Sequence, residues 1–103
     1  KEHIHFAVVR TAKGVALKKR DSKGIWAGLH EFPRLEEAPE GGQLLEGPIV
    51  HKLSHKDLIC HFWEADSSVL NEDVVYYRPD GNRQLGMPII VSNIVEKMHG
   101  EGT

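Results

Sequence analysis

Cysteine is almost missing: Cys60 stands alone in 103 residues. A single thiol excludes an internal disulfide and any multi-cysteine zinc or iron–sulfur site. It fits a reducing, cytosolic setting. No apolar run approaches the roughly 20 residues that span a bilayer. No basic segment leads into an apolar stretch, so no signal peptide is expected. The first residue is Lys1 rather than methionine, and the chain reads as a domain excised from something longer. A basic excess is missing too. Thirteen Lys and Arg against fifteen Asp and Glu leave a net charge of −2, which argues against wholesale non-specific nucleic-acid binding. No P-loop, G-x-G-x-x-G fingerprint or G-x-S-x-G elbow occurs.

What is present describes one ordinary globular domain: 40% hydrophobic and 27% charged residues, in a length that supports a single core. Charge is unevenly spread. Residues 1–34 sum to +5, residues 35–46 carry Glu36, Glu37, Glu40 and Glu46 with no basic partner, and the remainder sums to −3. Lys13, Lys18, Lys19, Arg20 and Lys23 are therefore candidates for a local positive patch. The competing reading is a lysine-protected strand edge.

Alternation predicts strands at His3 to Arg10 and Val15 to Arg20, joined as a hairpin through a turn that uses Gly14. Ile25 to Leu29 reads as a packed, glycine-punctuated loop, and His30 to Pro33 as a short extended piece. Residues 34–47 form an acidic loop, with one helical turn expected at Gln43 to Glu46. Pro48 to Leu53 is a strand, Ser54-His55-Lys56 a tight turn, and Asp57 to Ala65 a longer strand, apolar on both faces and central. Val74 to Tyr77 is a short strand, stopped by Arg78-Pro79-Asp80-Gly81. Ile90, Ile94, Val95 and Met98 form one stripe on a helix from Ile89 to His99, with Pro88 in its first turn and Gly100 as its cap. The expected class is α+β: a mixed, mostly antiparallel sheet with a C-terminal helix and one short additional helix.

The residues offer little ordinary catalytic chemistry. Seven histidines invite a metal site. His3 and His5 share a strand face, and His51 and His61 are candidate cross-strand neighbours. No His-x3-His lies on a credible helix and no cysteine partner accompanies them, whereas zinc wants three or four convergent ligands. Most of these histidines are expected to be half-exposed strand residues. Cys60 sits mid-strand among apolar neighbours, as an inert core thiol does. Ser54, His55 and Asp57 are too close in sequence to orient one another as a triad. The Nudix signature, G-x5-E-x7-R-E-U-x-E-E-x-G-U with U aliphatic, gathers glutamates on one helical face around magnesium. Here no glycine is followed six residues later by glutamate, and no Arg-Glu dipeptide occurs. Pro39, Gly41 and Gly42 break the stretch where that helix would lie, and its four acids lack the spacing to converge on a cation.

Three segments nonetheless stand in a telling order. They are Val15 to Pro33 (VALKKRDSKGIWAGLHEFP), His51 to His55 (HKLSH) leading into Leu58 to Glu64, and Gln84 to Pro88 (QLGMP) before the helix. Together they resemble the C-terminal, Nudix-like domain of MutY-type A/G-specific adenine DNA glycosylases, over about residues 3–99. The run Gly24-Ile25-Trp26-x-Gly28-Leu29-x-Glu31-Phe32-Pro33 is its most specific part.

The resemblance implies a lesion-recognition domain in base excision repair. In that family a separate N-terminal domain, holding an iron–sulfur cluster, excises adenine. The C-terminal domain reads 8-oxoguanine on the opposite strand. This chain is then expected to hold no cofactor, to have no glycosylase activity alone, and to contact the catalytic domain of its parent chain. It is further expected to be a monomer without a membrane role, in the bacterial cytoplasm with the nucleoid. The family's aromatic-Ser/Thr-His turn falls on Leu53, Ser54 and His55. Ser54 is the implied lesion contact, and His55 braces the turn or touches a phosphate. Leu53 departs from the aromatic, so it can wedge but not stack. Lys18, Lys19, Arg20, Lys23, Lys52 and Lys56 are candidates for phosphate contacts. Trp26, Phe32, Trp63 and Tyr76 are assigned to packing. Two rivals remain: a divergent Nudix pyrophosphohydrolase of oxidised nucleotides, and a protein-binding module of a repair complex.

Overall fold

Ile4, Phe6 and Val8 alternate with His3, His5 and Ala7, and this segment forms β1 (Glu2–Thr11). It turns back into β2 (Gly14–Lys19), so the expected antiparallel hairpin is present. The chain continues through β3 (His30–Glu31), β4 (Arg34–Leu35), β5 (Gln43–Lys52), β6 (Asp57–Ala65) and β7 (Val75–Tyr77) to α1 (Ile89–Glu101). The computed structural model describes residues 2–22, 24–70, 73–81 and 84–101, without the side chains of residues 100 and 101.

The strands join in the order β3-β2-β1-β6-β5, with β4 against β1 and β7 against β2. All pairings are antiparallel except β1 with β6, which run parallel from Glu2↔Leu58 to Val9↔Ala65. β1 and β2 pair only near their turn, at Arg10↔Val15 and Thr11↔Gly14. Farther along, β4 takes that edge of β1 at His5 and Phe6. Gly14 has φ +125°, and a Cβ there would stand 2.5 Å from the Tyr77 carbonyl oxygen. Glycine therefore permits both the turn and the close approach of β7.

The core lies between one sheet face and α1. Ile4, Phe6, Phe32, Leu58 and Phe62 pack with Ile90, Val91, Ile94 and Val95 of the helix. Val91 extends the predicted stripe. Pro88 stands just before the helix, its carbonyl accepting from the Val91 and Ser92 amides at 3.0 and 2.9 Å. A smaller cluster of Ala7, Val9 and Ala16 lies on the other face, with Leu35, Leu70 and Tyr76 against it.

Several expectations are corrected. Gln43 to Glu46 is strand, not a helical turn, because Gln43 and Leu44 pair with Glu64 and Trp63 of β6. Ladder pairing outweighs the local preference of Leu-Leu-Glu for helix. β5 thus begins five residues before Pro48 and takes up its irregular register shifts between Leu44 and Ile49. The short extra helix is a 3-10 turn at Ser67–Val69, capped by Asp66, whose carboxylate accepts from the Ser68 amide. β6 is internal as predicted, but only its Leu58, Cys60 and Phe62 side is buried; Ile59, His61 and Trp63 are half-exposed. The helix runs through Gly100 to Glu101, since glycine permits a helix stop without enforcing one.

Cys60 has 0% exposure, and burial pushes its thiol up to about 11. Iodoacetamide at pH 8 is expected to leave it unmodified in the folded chain and to alkylate it in guanidinium, read by intact mass. Modification of the folded protein at a free-thiol rate would contradict this packing.

Candidate nucleic-acid interface

The β5–β6 hairpin carries the Ser-His turn. Lys52 pairs with Asp57 at its base, and the Leu53 amide donates to the Lys56 carbonyl at 2.8 Å. That leaves Ser54, His55 and Lys56 exposed at the tip. Leu53 is instead half-buried against the main core, which anchors the turn from beneath. The Ser54 hydroxyl has no hydrogen-bond partner among the described residues, so it is not spent on its own backbone. Lys56 reaches Glu2 at 2.9 Å, and Lys52 lies 3.9 Å from Asp57. His51 stands against the Trp26 ring at 5.5 Å, on the core side of the hairpin. The tip therefore offers an unengaged hydroxyl and an imidazole, flanked by two lysines, on a braced base.

The other predicted basic residues lie elsewhere. β2 is antiparallel to β1 and β1 is parallel to β6, so the end of β2 and the 53–56 turn point toward the same end of the sheet. Lys18, Lys19 and Arg20 line a hollow of about 90 Å3 there with Asp21, Glu31, Pro33 and Arg34. Lys18 and Lys19 stand opposite Glu31 and His30. Lys23 lies outside the described residues. Arg20 is not a free surface cation. It lies 3.6 Å from Glu31, a carboxylate only 3% exposed, which Arg34 grips through two hydrogen bonds of 2.7 and 3.1 Å. This pairing holds β2 to the Glu31–Arg34 loop. Sequence patterning marked Arg20 as basic but gave no sign that its partner was buried.

The predicted packing roles divide. Phe32 is fully buried, and Trp26 packs beside the core with φ +63°. Tyr76 packs on the smaller cluster. Trp63 joins neither cluster, and its indole N–H donates to His5 Nδ1 at 3.0 Å. His61 stands opposite His5, while His51 stands opposite Leu58. The expected His51–His61 pairing is therefore replaced by one across β1 and β6.

A model of the NUDIX domain family matches residues 5–97. The chain belongs to that family. A comparison with curated proteins finds no match. The Nudix assignment makes the acidic segment worth testing as a cation site. Glu36, Glu37 and Glu40 are exposed along bends and turns rather than on a helix. Glu46 is drawn away onto β5, where it pairs with Lys97. Among the described residues no group of three His, Cys, Asp or Glu side chains is arranged to hold a metal. The described residues do not fit the magnesium of a Nudix hydrolase. No helix of the described residues is long and apolar enough to cross a membrane.

Proposed function

We propose that this Nudix domain reads 8-oxoguanine in duplex DNA as part of an adenine glycosylase whose excision chemistry lies in another domain. The exposed, unengaged Ser54 hydroxyl on the braced β5–β6 turn carries this reading. The family-like run from Gly24 to Pro33 supports it.

Guanine presents N7 as an acceptor. In 8-oxoguanine N7 carries a proton and C8 an oxygen, so one edge becomes a donor beside an acceptor. A serine hydroxyl both accepts and donates. Ser54 accepts from N7–H, and a neighbouring backbone amide or the hydroxyl proton answers O8. Unmodified guanine has no O8, so that second contact is lost even when the hydroxyl turns to donate to N7. One such contact is worth about 1–3 kcal/mol of discrimination. His55, Lys52 and Lys56 supply contacts to phosphate that place the turn without reading sequence. The net charge of −2 suits a domain that contributes a local patch and leaves most DNA affinity to its parent.

Backbone amide shifts test this, with two duplexes titrated at low salt. One holds an 8-oxoguanine·adenine pair and the other guanine·adenine. Shifts at Leu53–Lys56 are expected to be larger for the lesion. Ser54→Ala is expected to remove roughly tenfold of the lesion preference. Equal responses to both duplexes, confined to lysines, would overturn lesion reading by this turn.

A further inference from the structure

Two half-buried residues each break a local rule, and they meet. Trp26 lies in the turn between β2 and β3 at φ +63°, with Gly24 at +84° and Gly28 at +76° on either side. Glycine takes positive φ without steric cost, whereas a bulky side chain there is strained. His51 breaks a different rule. Ile49, His51 and Leu53 are half-buried along the end of β5, while Val50 and Lys52 are exposed. Ile49 and Leu53 pack on the main core, as that alternation requires. The position between them is apolar by pattern. An imidazole stands there instead, opposite the fully buried Leu58. The Trp26 and His51 rings lie 5.5 Å apart, tilted at 58°.

Neither residue is explained by its own element. The turn closes through backbone bonds: the Gly28 amide donates to the Asp21 carbonyl at 3.1 Å, and the Leu29 amide to the Trp26 carbonyl at 3.0 Å. Asparagine or glycine at position 26 would make the same bonds with less strain. On β5 an aliphatic residue at position 51 would continue the stripe of Ile49 and Leu53. Local preferences are overruled where a site imposes its own demand. Here both departures share one contact. That contact joins the loop after β2 to the hairpin, three residues before Ser54.

The demand is mechanical. A two-stranded hairpin is marginal on its own. Leu53 anchors the Ser54 turn from beneath, and a single anchor lets the tip rock about it. The loop carrying Trp26 is tied down beyond its own turn. The Arg20 amide donates to the Leu29 carbonyl at 2.8 Å, and the His30 amide to the Gly86 carbonyl at 2.7 Å. Trp26 is thus a wall on which His51 rests, and it gives the hairpin a second point of support. A hydroxyl that tells a donor from an acceptor must be held within about 0.5 Å and 10–20°. A lysine reaching a phosphate on its flexible stem tolerates far more.

We propose that Trp26 and His51 are positioning residues for Ser54, holding the hairpin tip at the angle that lesion reading requires. This rests on the lesion-reading function proposed above. Trp26 acts through His51 and β5, and in this role neither ring touches the DNA. Lesion preference therefore depends on the ring at position 26, while affinity for undamaged duplex does not.

Fluorescence anisotropy tests this, with labelled 8-oxoguanine·adenine and guanine·adenine duplexes titrated with the chain at low salt. Trp26→Asn removes the ring and tolerates positive φ. It is expected to lower the lesion preference about threefold, short of the loss from removing the hydroxyl itself. Binding of the guanine duplex is expected to change less than about twofold, since phosphate contacts carry it. Trp26→Phe is expected to restore most of the preference. His51→Leu continues the apolar stripe and is expected to give the same loss as Trp26→Asn. The double variant should lose no more than either single one. The amide spectrum checks the fold of each. Full preference in both Trp26→Asn and His51→Leu would overturn the positioning role. Equal weakening on both duplexes would overturn it too, because a loosened surface loses both alike. A wild-type chain with no lesion preference would instead overturn lesion reading, and this role with it.

Discussion

Phe62→Ala is expected to cost the folded chain about 3–5 kcal/mol of stability. Phe62 is fully buried and stacks on Phe6 at 5.1 Å, while Phe32 meets its edge at 5.8 Å. Phe6 and Phe32 also meet, at 6.1 Å. The three rings come from β1, the segment after β3, and β6, so no single element can close the gap left by one of them. Truncating a buried phenylalanine costs about 3–5 kcal/mol. A domain of this size has about 5–15 kcal/mol in total. Val50→Ala, at a residue 50% exposed on β5, is the control and should change stability by less than about 0.5 kcal/mol. Guanidinium titrations followed by circular dichroism compare them. Equal midpoints would show that the three rings do not form the centre of the core.

Glu31→Gln is expected to cost about 2–3 kcal/mol, and so to lower the melting temperature by roughly 10 °C or more. The carboxylate is the common partner of Arg34 and Arg20, whose side chains are 28% and 29% exposed. Removing its charge leaves two partly buried guanidiniums facing each other. Their remaining contact with water keeps the cost below that of a fully buried pair. Arg10 and Glu64 make the comparison: that pair is 49% and 40% exposed, and Arg10→Ala should cost under about 1 kcal/mol. Thermal melts of both variants decide the matter. An unchanged melt for Glu31→Gln would mean that solvent already screens the carboxylate.

The strands were legible where one rule acted alone. Asp57 to Ala65, a run of strand-forming residues between two turn signals, forms β6 with those bounds, though its two apolar faces hid which one is buried. Gly14 sits where the hairpin needs positive φ. The reading failed where distant partners decide. Leu44 and Leu45 suit a helix locally, yet Leu44 stands against Trp63 in the ladder. Which histidines meet depends on register, and no periodicity says that β1 pairs in parallel with β6. His3 and His5 were visible as one face, but placing His61 beside them required the fold. The family resemblance pointed to the Nudix domain without supplying the exposure of Ser54 or the anchoring of Leu53. Those follow from the hairpin's packing.

The parallel partnership of β1 and β6 also governs when the molecule can exist at all. Residues 2–9 find their longest ladder only at 58–65, more than half the chain away. The early hairpin therefore emerges from the ribosome with Phe6 and Val8 uncovered and one ladder edge open. Folding must wait for a non-local closure, which is intrinsically slow. Throughout that interval the open edge is a template for a second nascent chain. A translation product stopped short of residue 65 is thus the form of this protein most in need of a chaperone.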